Sequence, residues 1–587
     1  MTVEDGTGIV HNAAMYGEVD YTAAKQRNLP RQQMLDHRGH FLETAPENIR
    51  GKFFKQADSI VLKELQEKGL VYKILAFTHS YPHCWRCGTP LYYSALPAWF
   101  INIQKIKSQL LENNKSINWY PDHLKYGRFQ KGIENAPDWN ITRNRYWATA
   151  LPFWKCDNEK CSNVICIGGV EDLREKSLNF DEVYPHYDRN NLNDLDLHKP
   201  YIDEVKLKCD RCASAGADST MTRVPEVIDC WVESGSMPFA ELHAPFENEE
   251  LFKQRFPSDF VVEYIPQTRA WFYVMHAIST MIFGRAPFKN VMTTGTILAE
   301  DGSKMSKSKK NYTDPMETIA QYGADPLRFY LLTSPVINGE DLNFSEKGVT
   351  EVSRKLSMIL WNIHSFYRMY TKGHVSEDVP VSNHVLDKWV MSRLFATHKA
   401  VTEFLDANNT PSAGRAIQDF VTELSTWYTR RSRDRIKEGG VGAEQALNTM
   451  GYVLDEVTKL LAPFMPFLAE YLFKDLTNKE SVHLTKWSAV QENNPKLEES
   501  MSYLQNVVEI ALRIRKENNM KVKQPLAELQ YLATDFDAEM EQIIADELNV
   551  KKVTAVSDFI SRNGWHAIND TVSIDFVLTP ELLKEGL

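Results

Sequence analysis

The stretch Leu298–Asn311 reads LAEDGSKMSKSKKN. A strand-like apolar run ends there in a loop that contains a glycine and two lysines, Lys304 and Lys307, spaced among small hydroxyl residues. Flexible lysine ammonium groups on such a loop can close over a polyphosphate and offset the negative charge that develops during phosphoryl or nucleotidyl transfer. A lysine-rich loop is also often no more than a solvated basic surface. Taken alone, the stretch leaves both interpretations open.

The sequence before this loop predicts a parallel sheet. The runs DFVVEYI (259–265) and NVMTTGTILA (290–299) are strand-like, and WFYVMHAISTMIFG (271–284) between them is helix-like. Strands that alternate with helices are typical of a parallel α/β sheet. Further upstream, IVLKEL (60–65), LVYKILAF (70–77) and FDEVYPHY (180–187) are short β-rich runs among glycine and proline. We therefore expect an α/β arrangement with insertions over the first 230 or so residues.

Beyond about residue 349, the sequence consists of long segments in which the apolar residues have helical periodicity. They predict an all-α domain. The final residues, from about 500 to 587, contain a basic amphipathic helix and the strand-like LAELQYLAT (526–534), which predict a small α+β segment. The helical segments are 352–370, 385–405, 413–436 and 446–473.

Composition limits the classes of protein that fit. The 587 residues suggest about four domains, and 43% hydrophobic with 25% charged residues belongs to a globular chain. The net charge of -11 provides no global attraction to nucleic acid, although local basic patches can still act. No apolar stretch reaches 18 residues, and the start MTVEDGTGIVH has no secretory signal. We expect a cytoplasmic protein that does not enter a membrane.

The eight cysteines are too sparse for a disulfide scaffold, but six of them form three close pairs. Cys156-x4-Cys161 and Cys209-x2-Cys212 can supply four thiolates to one tetrahedral zinc ion. Cys166 could take the place of Cys161 in this set. The remaining pair lies in HSYPHCWRC (79–87), as Cys84 and Cys87, and forms half of a second metal site.

Together, Lys304, Met305, Ser306, Lys307 and Ser308 spell KMSKS, and the chain here resembles the class I aminoacyl-tRNA synthetases. Other blocks resemble the isoleucine-specific members of that class, in the same order and over nearly the whole chain. These blocks are HSYPHCWRC (79–87), DWNITRNRYW (138–147), DCWVESGSMP (229–238), EYIPQTRAWF (263–272), WYTRRSRDR (427–435), LAPFMPFLAE (461–470) and ELNVK (547–551).

The resemblance implies roles for individual residues of the active site. Trp231 and Trp271 would flank the amino-acid side chain, and two rigid aromatic walls suit a branched apolar group. Glu263 and Gln267 would hold the aminoacyl-adenylate, with the carboxylate binding the substrate ammonium. Lys304 and Lys307 would be the catalytic clamp on the ATP phosphates, and all five KMSKS residues would contact the nucleotide. Three positions depart from the common family pattern, namely Glu233, Tyr264 and Pro266.

The family also has an H-x-G-H motif that binds the ATP phosphates at a helix N-terminus. The sequence His37-Arg38-Gly39-His40 matches the letters, but polar residues precede it and Pro46 follows, so we do not assign it that role. Residues before it resemble the end of the editing domain, which implies that His11 and Asp20 belong to the hydrolytic site that removes mischarged valine. Both ends of the family's sequence are expected to be missing, and this chain alone is expected to be inactive in adenylate formation.

For RNA, the resemblance implies that the helix through Trp427 contacts tRNA, although a basic run is often only a solvated helix face. A later basic helix carries Arg513, Arg515, Lys516, Lys521 and Lys523. The residues implied in the first helix are Trp427, Arg430, Arg431, Arg433 and Arg435.

The resemblance therefore predicts an α/β fold that comprises the second half of a class I Rossmann-type catalytic domain, a partial editing domain, a zinc-bearing insertion, an all-α anticodon-binding domain and a small α+β C-terminal segment. The segments are 1–75 (end of the editing domain), 76–150 (return into the catalytic domain), 151–222 (zinc-binding insertion), 223–300 (second half of the Rossmann fold), 301–375 (KMSKS loop and stem-contact region), 376–499 (helical anticodon-binding domain) and 500–587 (C-terminal junction).

The implied function is ATP-dependent activation of isoleucine and its transfer to tRNA(Ile), with editing of mischarged valine. The implied cofactors are ATP with Mg²⁺ and a structural Zn²⁺, and the partners are tRNA(Ile), isoleucine and ATP, bound by a monomer. Two other readings stay open: a non-catalytic tRNA-binding protein, and a ligase specific for valine. Amino-acid-dependent exchange of pyrophosphate into ATP separates all three.

Overall fold

The computed structural model describes residues 8–84, 87–306, 309–532, 536–559, 564–568 and 571–586. The chain forms two compact units. The first unit contains residues 1–102 and 138–229, and the second contains residues 103–137 and 230–587. The predicted segment 76–150 thus contributes residues to both units. Over the described ranges, no helix is long and apolar enough to span a lipid bilayer.

The strands of the described residues are short, and most have between two and seven residues. In chain order they are β1 (Phe100–Ile101), β2 (Asn118–Tyr120), β3 (Trp139–Asn140), β4 (Thr142–Arg143), β5 (Phe153–Cys156), β6 (Val164–Cys166), β7 (Leu207–Lys208), β8 (Thr220–Arg223), β9 (Val227–Ile228), β10 (Ser258–Tyr264), β11 (Phe288–Thr294), β12 (Ile297–Leu298), β13 (Leu342–Asn343), β14 (Leu526–Leu532), β15 (Val550–Val556), β16 (Trp565–Ile568) and β17 (Val572–Asp575).

The longer α-helices lie in the last 250 residues. In chain order the helices are α1 (Glu18–Gln26), α2 (Phe54–Glu67), α3 (Lys107–Lys115), α4 (Lys131–Glu134), α5 (Val170–Lys176), α6 (Phe180–Val183), α7 (Asp210–Ser214), α8 (Cys230–Gly235), α9 (Met237–Ala240), α10 (Glu249–Arg255), α11 (Trp271–Phe283), α12 (Pro315–Tyr322), α13 (Ala324–Leu332), α14 (Glu346–Val352), α15 (Met358–Tyr370), α16 (Val385–Asp406), α17 (Thr410–Glu423), α18 (Arg430–Glu438), α19 (Gly440–Leu461), α20 (Pro466–Thr477), α21 (Pro495–Glu517), α22 (Ala538–Leu548) and α23 (Pro580–Gly586).

The predicted parallel sheet is confirmed in the second unit. Its strand order is β10-β11-β2, and both pairs are parallel. Helix α11 connects β10 to β11 and buries Phe272, Met275 and Ile278. It ends at Gly284, whose φ of 70° is the left-handed conformation that glycine adopts without strain. This βαβ arrangement brings the carboxyl ends of β10 and β11 to one edge of the sheet.

The all-α prediction is also confirmed. Helices α15 to α21 share one hydrophobic core, which includes the fully buried Trp389, Tyr428 and Phe464. The core continues into a C-terminal sheet of order β15-β14-β17-β16, in which β14 and β15 are parallel and the other pairs antiparallel. Helix α22 connects the two parallel strands, as a parallel connection requires.

The first unit contains an antiparallel sheet of order β6-β5-β8-β7. Its core is built from Trp154, Leu207 and Met221, and the indole nitrogen of Trp154 donates to the carbonyl oxygen of Val205 at 2.9 Å. Cys156 ends β5, and Cys209 and Cys212 follow β7, so the sheet places three predicted zinc ligands in one region.

Three strand predictions in this unit are wrong. Residues 60–65 lie in α2, because residues 63–67, KELQE, are strong helix formers that reach the end of this helix. Residues 180–183 form α6, which ends at Tyr184 because a residue before proline avoids the helical conformation. Residues 70–77 form no strand, since the described residues offer them no pairing partner.

Candidate functional site

Two hydrogen bonds hold Trp271 at the start of α11. The backbone N–H of Trp271 donates to Oε1 of Gln267 at 3.0 Å, and its indole Nε1 donates to the carbonyl oxygen of Ser234 at 3.0 Å. Both the backbone and the ring are therefore fixed, and the side chain stays half-buried. The sequence prediction paired Gln267 with Glu263 as an adenylate ligand, whereas the geometry also makes Gln267 a helix cap.

Trp231 lies on α8, the short helix that packs against α11. The close approach depends on Gly235: a Cβ at that position would lie 2.8 Å from Cδ1 of Ile278 and 3.1 Å from the carbonyl carbon of Val274. Trp231 is half-buried, like Trp271. The structure thus places the two predicted pocket tryptophans on two helices in direct contact.

Glu263 lies at the carboxyl end of β10, where its register partner on β11 is Thr293. Its side chain is exposed, so the carboxylate can meet a ligand at the edge where α/β sheets bind small molecules. The departures at Tyr264 and Pro266 are accommodated locally. Tyr264 ends the strand, and Pro266 lies within the first turn of a 3₁₀ helix, Ile265–Arg269, where a missing N–H costs no hydrogen bond.

The loop after β12 begins as a tight hairpin that returns to pair Lys304 with Leu298. Ala299 N–H donates to the Ser303 carbonyl at 2.9 Å, and Gly302 turns the chain with a φ of 78°. The side chain of Lys304 is exposed, and Met305 and Ser306 are partly buried. Lys307 and Ser308 lie outside the described residues.

The four cysteines predicted to bind zinc meet in the first unit. Their sulfur atoms all lie within 4.8 Å of one another, with Sγ–Sγ distances of 3.6 Å for Cys156–Cys212 and 3.9 Å for Cys161–Cys209. A tetrahedron with Zn–S bonds of about 2.3 Å has an edge of about 3.8 Å. The sulfur positions therefore fit one zinc ion.

Polar neighbours support these sulfurs. Nδ2 of Asn163 donates to Cys209 at 3.6 Å, and Nδ2 of Asn158 donates to Cys212 at 3.9 Å. Burial raises the pKa of the Cys212 thiol to about 12, and the neighbouring thiols add to the rise. Against the effect of burial, hydrogen bonds from the Cys212 backbone and Asn163 lower the pKa of Cys209 to about 6.

The other cysteines lie apart from this cluster. Cys166 is exposed, so the structure assigns the fourth position to Cys161. The backbone N–H of Cys84 donates to the carbonyl of Thr89, and the N–H of Gly88 donates to the carbonyl of Cys84. The Thr89 hydroxyl lies 3.1 Å from the Cys87 sulfur and, with the Thr89 backbone and Cys84, lowers the pKa of that thiol to about 7.

Both residues that are predicted to take part in editing, His11 and Asp20, lie in the first unit. Asp20 lies in the first turn of α1, and its carboxylate accepts hydrogen bonds from Nδ2 of Asn12 at 3.2 Å and from the N–H of Ala13 at 3.3 Å. His11 immediately precedes them and is exposed. The preceding Gly6 and Thr7 lie outside the described residues.

The His37-Arg38-Gly39-His40 sequence opens no helix. It forms a turn in which Oδ1 of Asp36 accepts the N–H groups of Arg38 and His40, each at 2.8 Å. His40 then pairs with Phe53 in a β-bridge. The motif therefore lies in a turn and a β-bridge, and not at a helix N-terminus.

The arginines of α18 have different environments. Arg435 pairs with the buried Asp387, and Arg431 pairs with Asp546 and Glu547, so these two tie helices together. Arg430 stands 5.8 Å from the Trp427 ring and also pairs with Glu547. Arg433 is exposed and lies 5.8 Å from the Phe366 ring.

The basic residues of the second predicted helix also differ in their exposure. Arg515 is buried and donates to the carbonyl oxygens of Lys521 and Val522 at 3.3 and 3.2 Å. Burial lowers the pKa of its guanidinium to about 10. Arg513 and Lys516 on the same helix are exposed. Charge alone therefore overstates the number of arginines that are accessible to RNA.

Sequence reasoning missed several asparagines that support these sites. Asn158 and Asn163 flank Cys161, Asn12 binds Asp20, and Asn311 binds the loop of Lys304. Their only sequence signal is an asparagine within a few residues of a predicted ligand, in a turn where its amide can reach backbone groups.

The chain is similar in sequence to known proteins over most of its length. Residues 50–345 match the family model described as tRNA synthetases class I (I, L, M and V), and residues 387–531 match the anticodon-binding domain of tRNA ligase. An isoleucine–tRNA ligase 2 of Bacillus cereus is 44% identical over 563 residues, which cover 94% of this chain and 52% of that protein. An isoleucine–tRNA ligase of Clostridium acetobutylicum is 42% identical over 579 residues, or 95% of this chain and 53% of that protein.

Among solved structures, a Mycobacterium tuberculosis methionyl-tRNA synthetase in complex with methionyl-adenylate is 16% identical, with a TM-score of 0.47, over 78% of this chain and 79% of that one. The chain spans about half the length of the two isoleucine–tRNA ligases that it matches. The first family model covers just over half of the chain's own residues. The chain belongs to the class I tRNA synthetases, in the group defined by the isoleucine, leucine, methionine and valine enzymes.

Proposed function

We propose that this chain carries the adenylate-forming and tRNA-binding parts of an isoleucine–tRNA ligase. The observation that carries the proposal is the match at 42 to 44% identity to isoleucine–tRNA ligases across at least 94% of the chain. No comparable feature of the described residues favours a non-catalytic RNA-binding protein or a valine enzyme.

In the proposed first step, a carboxylate oxygen of isoleucine attacks the α-phosphorus of ATP, and the bond to pyrophosphate breaks. Trp231 and Trp271 would form the walls of the side-chain pocket, and the exposed Glu263 would hold the substrate ammonium. Lys304, with Lys307, would offset the charge that builds on the departing pyrophosphate. Magnesium bound with ATP would neutralise part of the phosphate charge.

In the second step, a ribose hydroxyl at the tRNA end attacks the isoleucyl carbonyl carbon, and AMP leaves. The exposed Arg433, with Trp427 and Arg430 beside it, would contact the tRNA backbone or a base through α18. Arg431 and Arg435, which pair internally, would position that helix.

Two accessory sites complete the proposal. Cys156, Cys161, Cys209 and Cys212 would hold a structural zinc ion, because the distances between their sulfurs fit a tetrahedral ion. His11 and Asp20 would take part in hydrolysis of mischarged valine, with Asp20 binding the valyl ammonium. Such editing is needed because one methylene gives only about 1 to 3 kcal/mol of discrimination, for which the isoleucine and valine pair is a standard example.

The test is isoleucine-dependent exchange of pyrophosphate into ATP. The assay uses the chain alone and the chain supplied with the unmatched part of the Bacillus cereus relative as a separate polypeptide. We expect exchange in the second case, with isoleucine preferred over valine. Lys304→Ala should reduce the rate by at least about 100-fold, whereas Lys355→Ala, at an exposed lysine of the helical region, should not. Intact tRNA binding with no exchange in either case would support the RNA-binding alternative.

A further inference from the structure

The side chain of Asn311 makes three hydrogen bonds to the loop that carries Lys304. Its Oδ1 accepts the backbone N–H of Ser306 at 2.9 Å. Its Nδ2 donates to Oγ of Ser303 at 2.8 Å and to the backbone carbonyl of Lys304 at 3.1 Å. One amide thus contacts the residues on both sides of Lys304 and Met305.

Backbone hydrogen bonds of the described residues lie on both sides of these contacts. The hairpin that begins at Leu298 ends with Lys304, and the backbone N–H groups of Lys309 and Lys310 both donate to the carbonyl of Ser306. Lys310 has a φ of 49°, which turns the chain back so that Asn311 can reach the hairpin. The Asn311 side chain therefore joins the end of the hairpin, at Ser303 and Lys304, to Ser306.

We propose that Asn311 is a positioning residue for adenylate formation, which holds the backbone of residues 303–306 in the conformation that presents the Lys304 ammonium to the ATP phosphates. This inference rests on the function proposed above. A lysine acts on a developing charge only when its backbone is already in place, because otherwise the transition state must also order the loop.

An amide suits this role better than any other side chain of similar size. It offers an acceptor to the Ser306 N–H and two donors to the opposite side of the loop. Aspartate would keep the first bond and could accept from the Ser303 hydroxyl, but it would face the Lys304 carbonyl with a second acceptor. It would also add negative charge beside bound phosphates. Asn311→Asp and Asn311→Ala therefore separate the individual contacts.

The first measurement uses this chain alone and needs no activity. Amide hydrogen exchange is followed over residues 299–311 in the unchanged chain and in Asn311→Ala. The Ser306 amide should exchange at least tenfold faster in the variant. Thr313→Ala is the matched control, since it removes a 2.7 Å hydrogen bond from Thr313 to Glu346 that does not touch the loop. Equal exchange of Ser306 in all three proteins would overturn the proposal.

The second measurement is pyrophosphate exchange by the chain supplied with the complementing polypeptide. Asn311→Ala should lower kcat at least tenfold and leave the KM for isoleucine within twofold, and Asn311→Asp should lower kcat at least as much, because its charge repels the phosphates. A residue that only stabilised the fold would not produce this separation of kcat from KM. If the unchanged chain is active and Asn311→Ala keeps its kcat, the positioning role is wrong. If the unchanged, complemented chain is inactive, the proposed function fails and this assignment fails with it.

Discussion

The indole nitrogen of Trp271 donates a hydrogen bond to the carbonyl oxygen of Ser234, which joins the first residue of α11 to the last turn of α8 at 3.0 Å. Because the indole itself is the donor, the ring cannot rotate without breaking this bond, and Gln267 separately accepts the backbone N–H of the same residue. A wall of a binding pocket is useful only when it keeps its position as the pocket fills, because ordering it later would cost binding energy.

Trp271→Phe should keep the aromatic wall but lose this bond. One neutral hydrogen bond is worth about 0.5 to 1.5 kcal/mol, so the KM for isoleucine in pyrophosphate exchange should rise roughly two- to tenfold. Trp487→Phe is the matched control, because the Trp487 indole donates a similar bond to Thr402 at 2.9 Å in the helical domain. A KM that rises equally in both variants would contradict the assignment of Trp271.

Gly235 sets the distance between α8 and α11, so a methyl group there should be costly. Gly235→Ala would push against Ile278 and the Val274 backbone and should destabilise the chain by about 1 to 3 kcal/mol in urea unfolding. Gly132→Ala is the control, because that helical glycine has open space at its Cβ position and should be neutral or slightly stabilising. If Gly235→Ala is as stable as Gly132→Ala, the helices are not held at this distance.

The cysteine cluster predicts a fixed metal content. The purified chain should contain about one zinc ion by elemental analysis, since one ion needs four thiolates. Cys209→Ser should lose this zinc, and Cys166→Ser should retain it because Cys166 lies outside the cluster. Retention of zinc in Cys209→Ser, or loss in Cys166→Ser, would mean that a different set of ligands binds the ion.

Two arginines of α18 should affect different properties, Arg435 the stability of the fold and Arg433 the binding of tRNA. Arg435→Ala leaves the Asp387 carboxylate, which is 1% exposed, without its cation and should cost about 3 to 5 kcal/mol of stability. Arg433→Ala, at an exposed position, should change stability by less than about 0.5 kcal/mol. It should weaken tRNA binding roughly fivefold and reduce the salt dependence of binding. Unchanged tRNA affinity in Arg433→Ala would remove that residue from the interface.

His276 should make stability depend on pH. Its ring is fully buried in α11, its Nε2 lies 2.8 Å from the Leu110 carbonyl, and burial lowers its pKa to about 4. Between pH 6.5 and 4 the unfolded chain therefore binds a proton that the folded chain does not. Above pH 6.5 the titration of His276 does not affect the free energy of unfolding. As the pH falls from 6.5 to 4, this free energy should fall by up to roughly 3 kcal/mol.

The comparison variant is His276→Gln, which keeps a donor near Leu110 but has no titratable ring. The difference in unfolding free energy between it and the unchanged chain should be flat above pH 6.5 and should change steadily below it. Parallel curves for the two proteins from pH 4 to 8 would show that His276 is protonated equally in the folded and unfolded states.

Long periodic elements could be predicted from the sequence, and short ones could not. The run 271–284 and the run 385–405 correspond closely to α11 and α16, because their length and apolar periodicity admit only one structure. Residues 60–65 contain the same apolar types in a run of six, which fits a strand or a helix equally well. The helix formers at residues 63–67 favour the helix, and the run lies in α2.

In the candidate site, too, some residues could be predicted from the sequence and others could not. Cysteine spacing identified the four sulfurs that the fold brings together, because few other patterns place four thiolates so close. Charge did not distinguish Arg433 from Arg435, since the partner of Arg435 is Asp387, 48 residues earlier in the chain. Asn311 was missed for a related reason: its role depends on how the loop closes, which no spacing rule describes.

The most direct test of the central claim is the formation of isoleucyl-tRNA itself. The chain, supplied with the complementing polypeptide, is given ATP, tRNA(Ile) and labelled isoleucine or valine, and the label on the tRNA is measured. The proposed function predicts stable charging with isoleucine, little stable charging with valine, and loss of charging in Lys304→Ala. Tight tRNA binding without charging by either amino acid, or charging with valine in preference to isoleucine, would contradict it.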